Sequence, residues 1–339
     1  MWVGVDNSQS YLLSRGAYPL NFYTNATERM TIDGSGRVGI GTSSPDAPLT
    51  VHSSSDPEIR FGYSSSQDHK ISWDSSKVYI EADPENANGS SAIGFRIDGT
   101  ERFNIASDGS LSTPTAGTSN VRFGVNAGNS IASGSTYNVV VGDEAGTAIT
   151  TGDANVAVGY QALATEDANG LNTAVGYQAL KTLNAGADGY NTAVGYIAGV
   201  FLTTGVENTL IGGLAGDALT DADRNTAVGY LALSSDTLGS NSVAIGRNAL
   251  STQNFTSATD AYNTAVGLNA GNLVTTGTQN TLIGGLAGDA LTDSDYNVAV
   301  GYSALTSDTL GARNVAVGQE ALASQNFTSA TNSYNTAVG

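Results

Sequence analysis

Short apolar triplets bounded by Asn and Gly recur along the last two-thirds of the chain. The blocks begin NVRFG (120–124), NVVVG (138–142), NVAVG (155–159) and NTAVG (172–176). They continue through NTLIG (208–212), SVAIG (242–246) and a second NTLIG (280–284) to NTAVG (335–339), thirteen copies in all. The step is mostly 17 residues, with single steps of 18 and 19 and two of 21. Within each triplet the first residue (Val or Thr) and the third (mostly Val or Ile) share one face, because strand side chains alternate with period two. Three residues after the block Gly, every complete copy has Ala, and the next residue is Leu or Gly. The pattern predicts coils of two short extended pieces separated by a Gly corner, with Asn in a left-handed or Asx turn.

Seventeen residues enclose too little core to stand alone, but stacked coils share a continuous one. At about 4.8 Å per rung, thirteen coils make a parallel β-solenoid roughly 60 Å long. The fourteen residues NTLIGGLAGDALTD occur at 208–221 and again, unchanged, at 280–293. Successive steps of 17, 17, 17 and 21 sum to 72, so the duplicated run is one coil of a four-coil unit written twice. An α-solenoid needs repeats above about 30 residues, and Gly every few positions costs each helix about 1 kcal/mol.

Before residue 118 the pattern changes. PLNFYTNA (19–26) and IGFRIDG (93–99) alternate and end in Asn-Ala or Asp-Gly, which predicts β-hairpins. The expected organisation is an N-terminal β module over 1–51, a second over 52–117, and the repeat region over 118–339. The fold class is therefore all-β.

Charge narrows the partners. The chain carries 31 acidic and 13 basic residues, net −18, and beyond residue 130 only Lys181, Arg224, Arg247 and Arg313 are basic. Such a surface repels phosphate backbones, so neither nucleic acid nor an anionic membrane is an expected partner. No apolar run approaches membrane-spanning length, and MWVGVDNSQS lacks a signal-peptide layout. The chain has no Cys and two His, which leaves no thiolate metal site and little basis for zinc.

SVAIG (242–246), preceded by Asn241, resembles the core motif of trimeric autotransporter adhesin heads. The resemblance covers 120–339 and implies a left-handed parallel β-roll in which three chains pack around one axis. The 17-residue step is longer than that family's, so extra residues must bulge outward. The 21-residue steps carry QNFTSAT (253–259 and 325–331), read as a projecting loop. ERMTIDGSGRVGIGTSSPDAPLTV (28–51) is similar to a segment common in phage tail-fibre proteins, with a partial second copy in TERFNIASDGSLSTPTAG (100–117). That likeness implies intertwined homotrimeric shaft modules. Because the repeat ends in mid-coil, further sequence beyond Gly339 is expected.

The candidate sites are few. Asp221 and Asp223 recur as Asp293 and Asp295. A glycosidase needs two carboxyls in distinct environments. A pair that is itself repeated at a turn reads as a turn and solubility device, or as weak Ca²⁺ ligands. His52 and His69 have no nucleophile elbow near them. GGLAG lacks the Lys-Ser/Thr ending of a phosphate loop. Tyr160, Tyr177, Tyr196, Tyr230 and Tyr302 directly follow the corner Gly, and Tyr137, Tyr190, Tyr262, Tyr296 and Tyr334 precede the Asn. The first set is a candidate glycan-stacking surface, an apolar ring with a polar tip suiting a sugar face; laddering on one another or packing between chains is the competing reading. Thr at the second block position could form an ice-binding array, but Val replaces it at Val139, Val156, Val243, Val298 and Val315.

The expected function is structural and adhesive: a rigid homotrimeric fibre of a virus particle, a phage tail fibre or related appendage, presenting host-binding surfaces. It would act without catalysis or cofactors. Its partners would be itself, other virion tail or baseplate proteins, and a host-surface glycan or protein, at an extracellular location on the virion. A bacterial trimeric surface adhesin and a tailspike-type polysaccharide depolymerase are the alternatives.

Overall fold

The computed structural model describes residues 2–5, 10–14, 16–52, 58–64, 67–73, 78–82, 93–97, 100–105, 111–112, 117 and 119–339. Every regular element among them is a strand. The chain divides into two units, 1–112 and 113–339.

The first unit consists of small sheets, antiparallel except where Val38–Ile40 pairs in parallel with Leu49–Val51. Leu20–Thr24 pairs with Thr27–Ile32, and the register slips between Phe22 and Tyr23. The intervening Asn25 and Ala26 both have positive φ, at 50° and 57°, as a tight hairpin turn of the primed type requires. Ile93–Ile97 pairs with Thr100–Ile105 and slips at the matching point, between Phe95 and Arg96. The two hairpins are thus copies of one another; the Asp-Gly turn between the second pair lies outside the described residues.

The second unit is a parallel β-solenoid. Thirteen three-residue strands, from Val121–Phe123 to Thr336–Val338, form one sheet in chain order. Each strand pairs in register with the next, so that Val139 faces Val156 and Val158 faces Val175. The middle residue of each triplet points inward. Val140, Ala157, Ala174, Leu210 and Leu282 are fully buried, whereas their strand neighbours are half-buried or exposed on the outer face. The Ala three residues past each corner is also buried, and one apolar core runs from Ala127 to Ala321.

Two expectations about the coil need correction. The stretch after the corner Gly is a turn and not a second extended piece. Its Leu or Gly sits in the left-handed region, Leu163 at φ 50° and Gly216 at φ 55°. In the left-handed position that starts each block we find the residue before Asn, such as Tyr137 or Leu171, and not the Asn itself. The Asn instead enters the interior. Asn208 Oδ1 accepts the backbone N–H of Asn225 at 2.9 Å, and Asn225 Nδ2 donates to the Gly239 carbonyl at 2.8 Å. Repeated along the stack, these bonds satisfy buried backbone groups that the short strands leave open.

Coil length has its own internal device. The 19- and 21-residue coils beginning at Asn172, Ser242 and Asn314 each follow a coil holding a buried carboxylate: Glu166, Asp236 and Asp308. Glu166 accepts the N–H of Ala185, Asp236 that of Phe255, and Asp308 that of Phe327. The QNF start of the longer loop is therefore not a projection. Gln253 is fully buried and Phe255 nearly so, while the following Thr256, Ser257 and Ala258 are exposed. Where Ser242 interrupts the Asn ladder, Gln253 bridges the break, donating to Ser242 Oγ at 3.0 Å and accepting from Asn263 Nδ2 at 2.8 Å.

Candidate functional site

Because consecutive coils superpose, each outward position becomes a column. On the open face of the thirteen-stranded sheet stand two: Thr or Val on one side, and mainly Val or Ile on the other. The Thr side chains within the stack are half-buried and interrupted by Val, so the column is mixed and not a continuous hydroxyl array. Along the other column Val194, Ile211, Ile245 and Ile283 remain exposed. Among the described residues of this unit none forms a covering layer over this ribbon of mainly β-branched side chains.

The column after the corner Gly holds the first tyrosine set. Tyr160 and Tyr177 stack with ring centroids 5.2 Å apart, and Tyr177 and Tyr196 with centroids 5.4 Å apart. Desolvation by neighbours, then the negative charges of Glu144, of an ionised Tyr177 and of Asp143, push the Tyr160 phenol above its usual pKa. Beside the rings, Gln161 donates to Glu144 and Gln178 to Gln161, a side-chain chain one residue further on. Tyr230 and Tyr302 lie in the same column but outside this stack, since Gly213 and Gly285 stand one coil before them. The structure therefore joins three of the five candidate residues and leaves two apart.

The second tyrosine set behaves differently. The guanidinium of Arg313 lies over the Tyr296 ring, 4.3 Å from its centroid, with the Tyr334 ring 5.9 Å away on the other side. That cation–π arrangement combines three consecutive coils. Reading Arg313 simply as a surface charge misses it; the sequence signal is Tyr-Arg-Tyr at the coil spacing.

The repeated acids are acceptors between coils. Asp221 accepts from Thr204 Oγ1 at 2.6 Å, and Asp293 from Thr276 Oγ1 at 2.6 Å. Asp223 accepts the N–H of Val206 at 2.9 Å, and Asp295 accepts the N–H and hydroxyl of Thr278. Each pair thus holds the turn of the preceding coil. Among the described residues no three His, Cys, Asp or Glu gather as a metal-binding group. His52 is exposed, and the side chain of His69 lies outside the described residues. In the first unit a hollow of about 360 Å³ is lined by Leu12, Tyr18, Leu20 and Asp33. The Asp33 carboxylate is committed to the backbone and side chain of Arg37 and to the Ser35 N–H, which lower its pKa.

The solenoid thus offers long periodic surfaces: an open β-branched ribbon, a broken tyrosine column and an acidic edge. Comparison with protein-family models, with curated proteins and with solved structures finds no match.

Proposed function

We propose that the chain is part of a homotrimeric attachment fibre of a virus particle, a rigid rod that presents host-binding surfaces. The observation that carries the reading is the ribbon of mainly Val, Ile and Thr along the thirteen rungs, which no other described residue of this unit covers. At about 60 Å by 10 Å its footprint is roughly 600 Å², the size of a large surface patch on a monomeric protein, with Thr hydroxyls set among its apolar side chains. A second and third copy of the same chain supply a matching ribbon of the same length and spacing. The tail-fibre likeness of 28–51 and the adhesin-head likeness of the repeats both favour three chains. In such a rod weak contacts are multiplied by repetition, so affinity comes from avidity and not from turnover.

The test is mass in native buffer. Light scattering is expected to give about 103 kDa, three times the 34.4 kDa chain; a stable 34.4 kDa species overturns the trimer. Placing Glu at Ile211 and Ile245, on the ribbon, is expected to dissociate the assembly while each coil stack stays folded. Gold-labelled antibody on purified particles and on cells separates a virion fibre from the same rod serving as a bacterial surface adhesin. Incubation with host capsule is expected to release no reducing ends, which separates it from a depolymerase.

A further inference from the structure

The tyrosine column breaks at one coil in a way that leaves a defined space. Tyr160, Tyr177 and Tyr196 stack at one ring per coil, 5.2 and 5.4 Å apart. The next coil has Gly213 at this position, and the coil after it has Tyr230. The backbones at Tyr196 and Tyr230 are therefore two strand spacings apart, about 10 Å, and the coil between them contributes no side chain at this position. Both are well exposed, at 57% and 49%. Ile197, Leu214 and Leu231, the next residue in each of the three coils, are half-buried and make the adjoining surface apolar. Tyr230 leans toward the gap: its Cδ2 lies 3.5 Å from where a Gly213 Cβ would stand.

From this geometry we infer that the gap at Gly213 is a binding slot for one pyranose ring of a glycan, held between the faces of Tyr196 and Tyr230. The lean of Tyr230 narrows the space below two strand spacings, so a ring between the walls lies under about 5 Å from each, at the close end of the roughly 4.5–7 Å range of stacked rings. A β-glucopyranose presents axial C–H groups to both faces with its hydroxyls around the edge, and a β-galactopyranose does so on one face, which suits apolar walls with hydroxyl rims. A base carrying phosphate is disfavoured by the acidic surface. The gap recurs 72 residues later at Gly285, where Leu268 replaces the first wall and Tyr302 keeps the second. That site has one aromatic face and is the weaker of the two. The inference deepens the attachment role proposed above by naming the ligand class and the residues.

Filling the slot tests it. Gly213 has no positive φ, and a side chain there enters at ordinary contact distance from Tyr230. Gly213→Tyr should therefore complete the stack and leave folding intact or strengthened. Saturation-transfer NMR of the full chain with methyl β-galactopyranoside and methyl β-glucopyranoside reads the ring protons directly. The native chain is expected to saturate one of these glycosides, with a Kd of about 1 mM. Gly213→Tyr is expected to reduce that signal at least tenfold at unchanged oligomer mass and melting temperature. Gly285→Tyr should reduce it less than twofold. An undiminished signal in Gly213→Tyr, or no transfer to either glycoside in the native chain, overturns the slot and leaves the fibre reading standing. Loss of the oligomer in Gly213→Tyr with sugar binding retained overturns it in favour of a side chain from a second copy. A monomer that still binds through the slot does the reverse, sinking the trimer and keeping the site.

Discussion

Asp236 Oδ2 accepts a hydrogen bond from Gln253 Nε2 at 2.6 Å, and one super-repeat later Asp308 Oδ2 accepts from Gln325 Nε2 at the same distance. The other oxygen of Asp236 takes the N–H groups of Gly239 and Phe255. One carboxylate thus anchors the start of a coil that is four residues longer than its neighbours.

Removing that anchor strands three donors in the interior. Asp236→Ala is expected to cost about 3 kcal/mol, and Asp236→Asn, which keeps one acceptor, about 1–2 kcal/mol. Denaturant unfolding measures both. Hydrogen exchange at the Phe255 amide should rise in Asp236→Ala, whereas exchange at the Phe327 amide, held by Asp308 in the second copy, should not.

Asp217 and Asp289 occupy equivalent coils with unequal partners. Thr306 Oγ1 donates to Asp289 Oδ1, but in the matching place the Ser234 hydroxyl donates to the Ser251 carbonyl at 3.4 Å, and Asp217 Oδ1 is buried without a hydrogen-bond partner. Burial pushes the Asp217 pKa up. A carboxyl raised on folding favours the native state most below its unfolded pKa, about 3.9. That advantage is lost as pH rises through the folded value. Ser234→Thr, whose β-branched side chain restricts the hydroxyl to the rotamers open to Thr306, is expected to turn that donor to Asp217 and stabilise by about 1 kcal/mol at pH 7. The gain should vanish at pH 3, where the group is protonated in both states. Urea midpoints at the two pH values measure it.

Much of the solenoid was readable because its constraints belong to the backbone. A Cβ on the corner Gly meets the next coil's carbonyl, and the ladder position demands a short amide, so Gly and Asn recur where the rungs fall. Side-chain destinations were less readable. Gln253 and Phe255 look like loop residues by neighbourhood, and only the Asp236 acceptor one coil back draws them inside. Ala followed by Leu fits an extended piece as well as a turn, and the left-handed Leu163 shows the turn. The gap at Gly213 carries no signal as a residue; it becomes a site only once Tyr177 and Tyr196 are seen to stack along the axis.

The corner glycines should divide sharply from those in loops. Gly229 has φ 139°, and a Cβ there would lie 2.6 Å from the Gly246 carbonyl oxygen. Gly186, at φ 69°, has nothing within 4 Å of its Cβ position. Gly229→Ala combines strain with a backbone clash and is expected to cost about 3–5 kcal/mol. Gly186→Ala meets strain alone, about 1 kcal/mol. Equal losses in thermal unfolding would mean that stacking distance is not what selects glycine at the corner.

The duplicated NTLIGGLAG run reflects exchange of volume between two core positions. Coils with Ala at the strand centre can place Leu in the left-handed position, as Ala157 does with Leu163 and Ala227 with Leu233. Leu210 reverses this, and the left-handed residue becomes Gly216, whose Cβ would meet Leu210 Cδ2 and Leu219 Cδ1 at 2.8 Å. Gly199, one coil earlier, likewise faces Leu210. Leu210→Ala alone should leave a cavity costing about 2–5 kcal/mol, and Gly216→Leu alone should overpack by about 1–3 kcal/mol. Together they recreate the arrangement of the Ala174 coil, where Leu180 at φ 48° is buried beside Leu183, the counterpart of Leu219, and shares the backbone conformation of Gly216 at φ 55°. The double variant is expected to recover at least half of the summed loss, a coupling above about 1 kcal/mol in a double-mutant cycle. Simple additivity would show that the two positions do not share one volume, and the duplicated run would then need another cause.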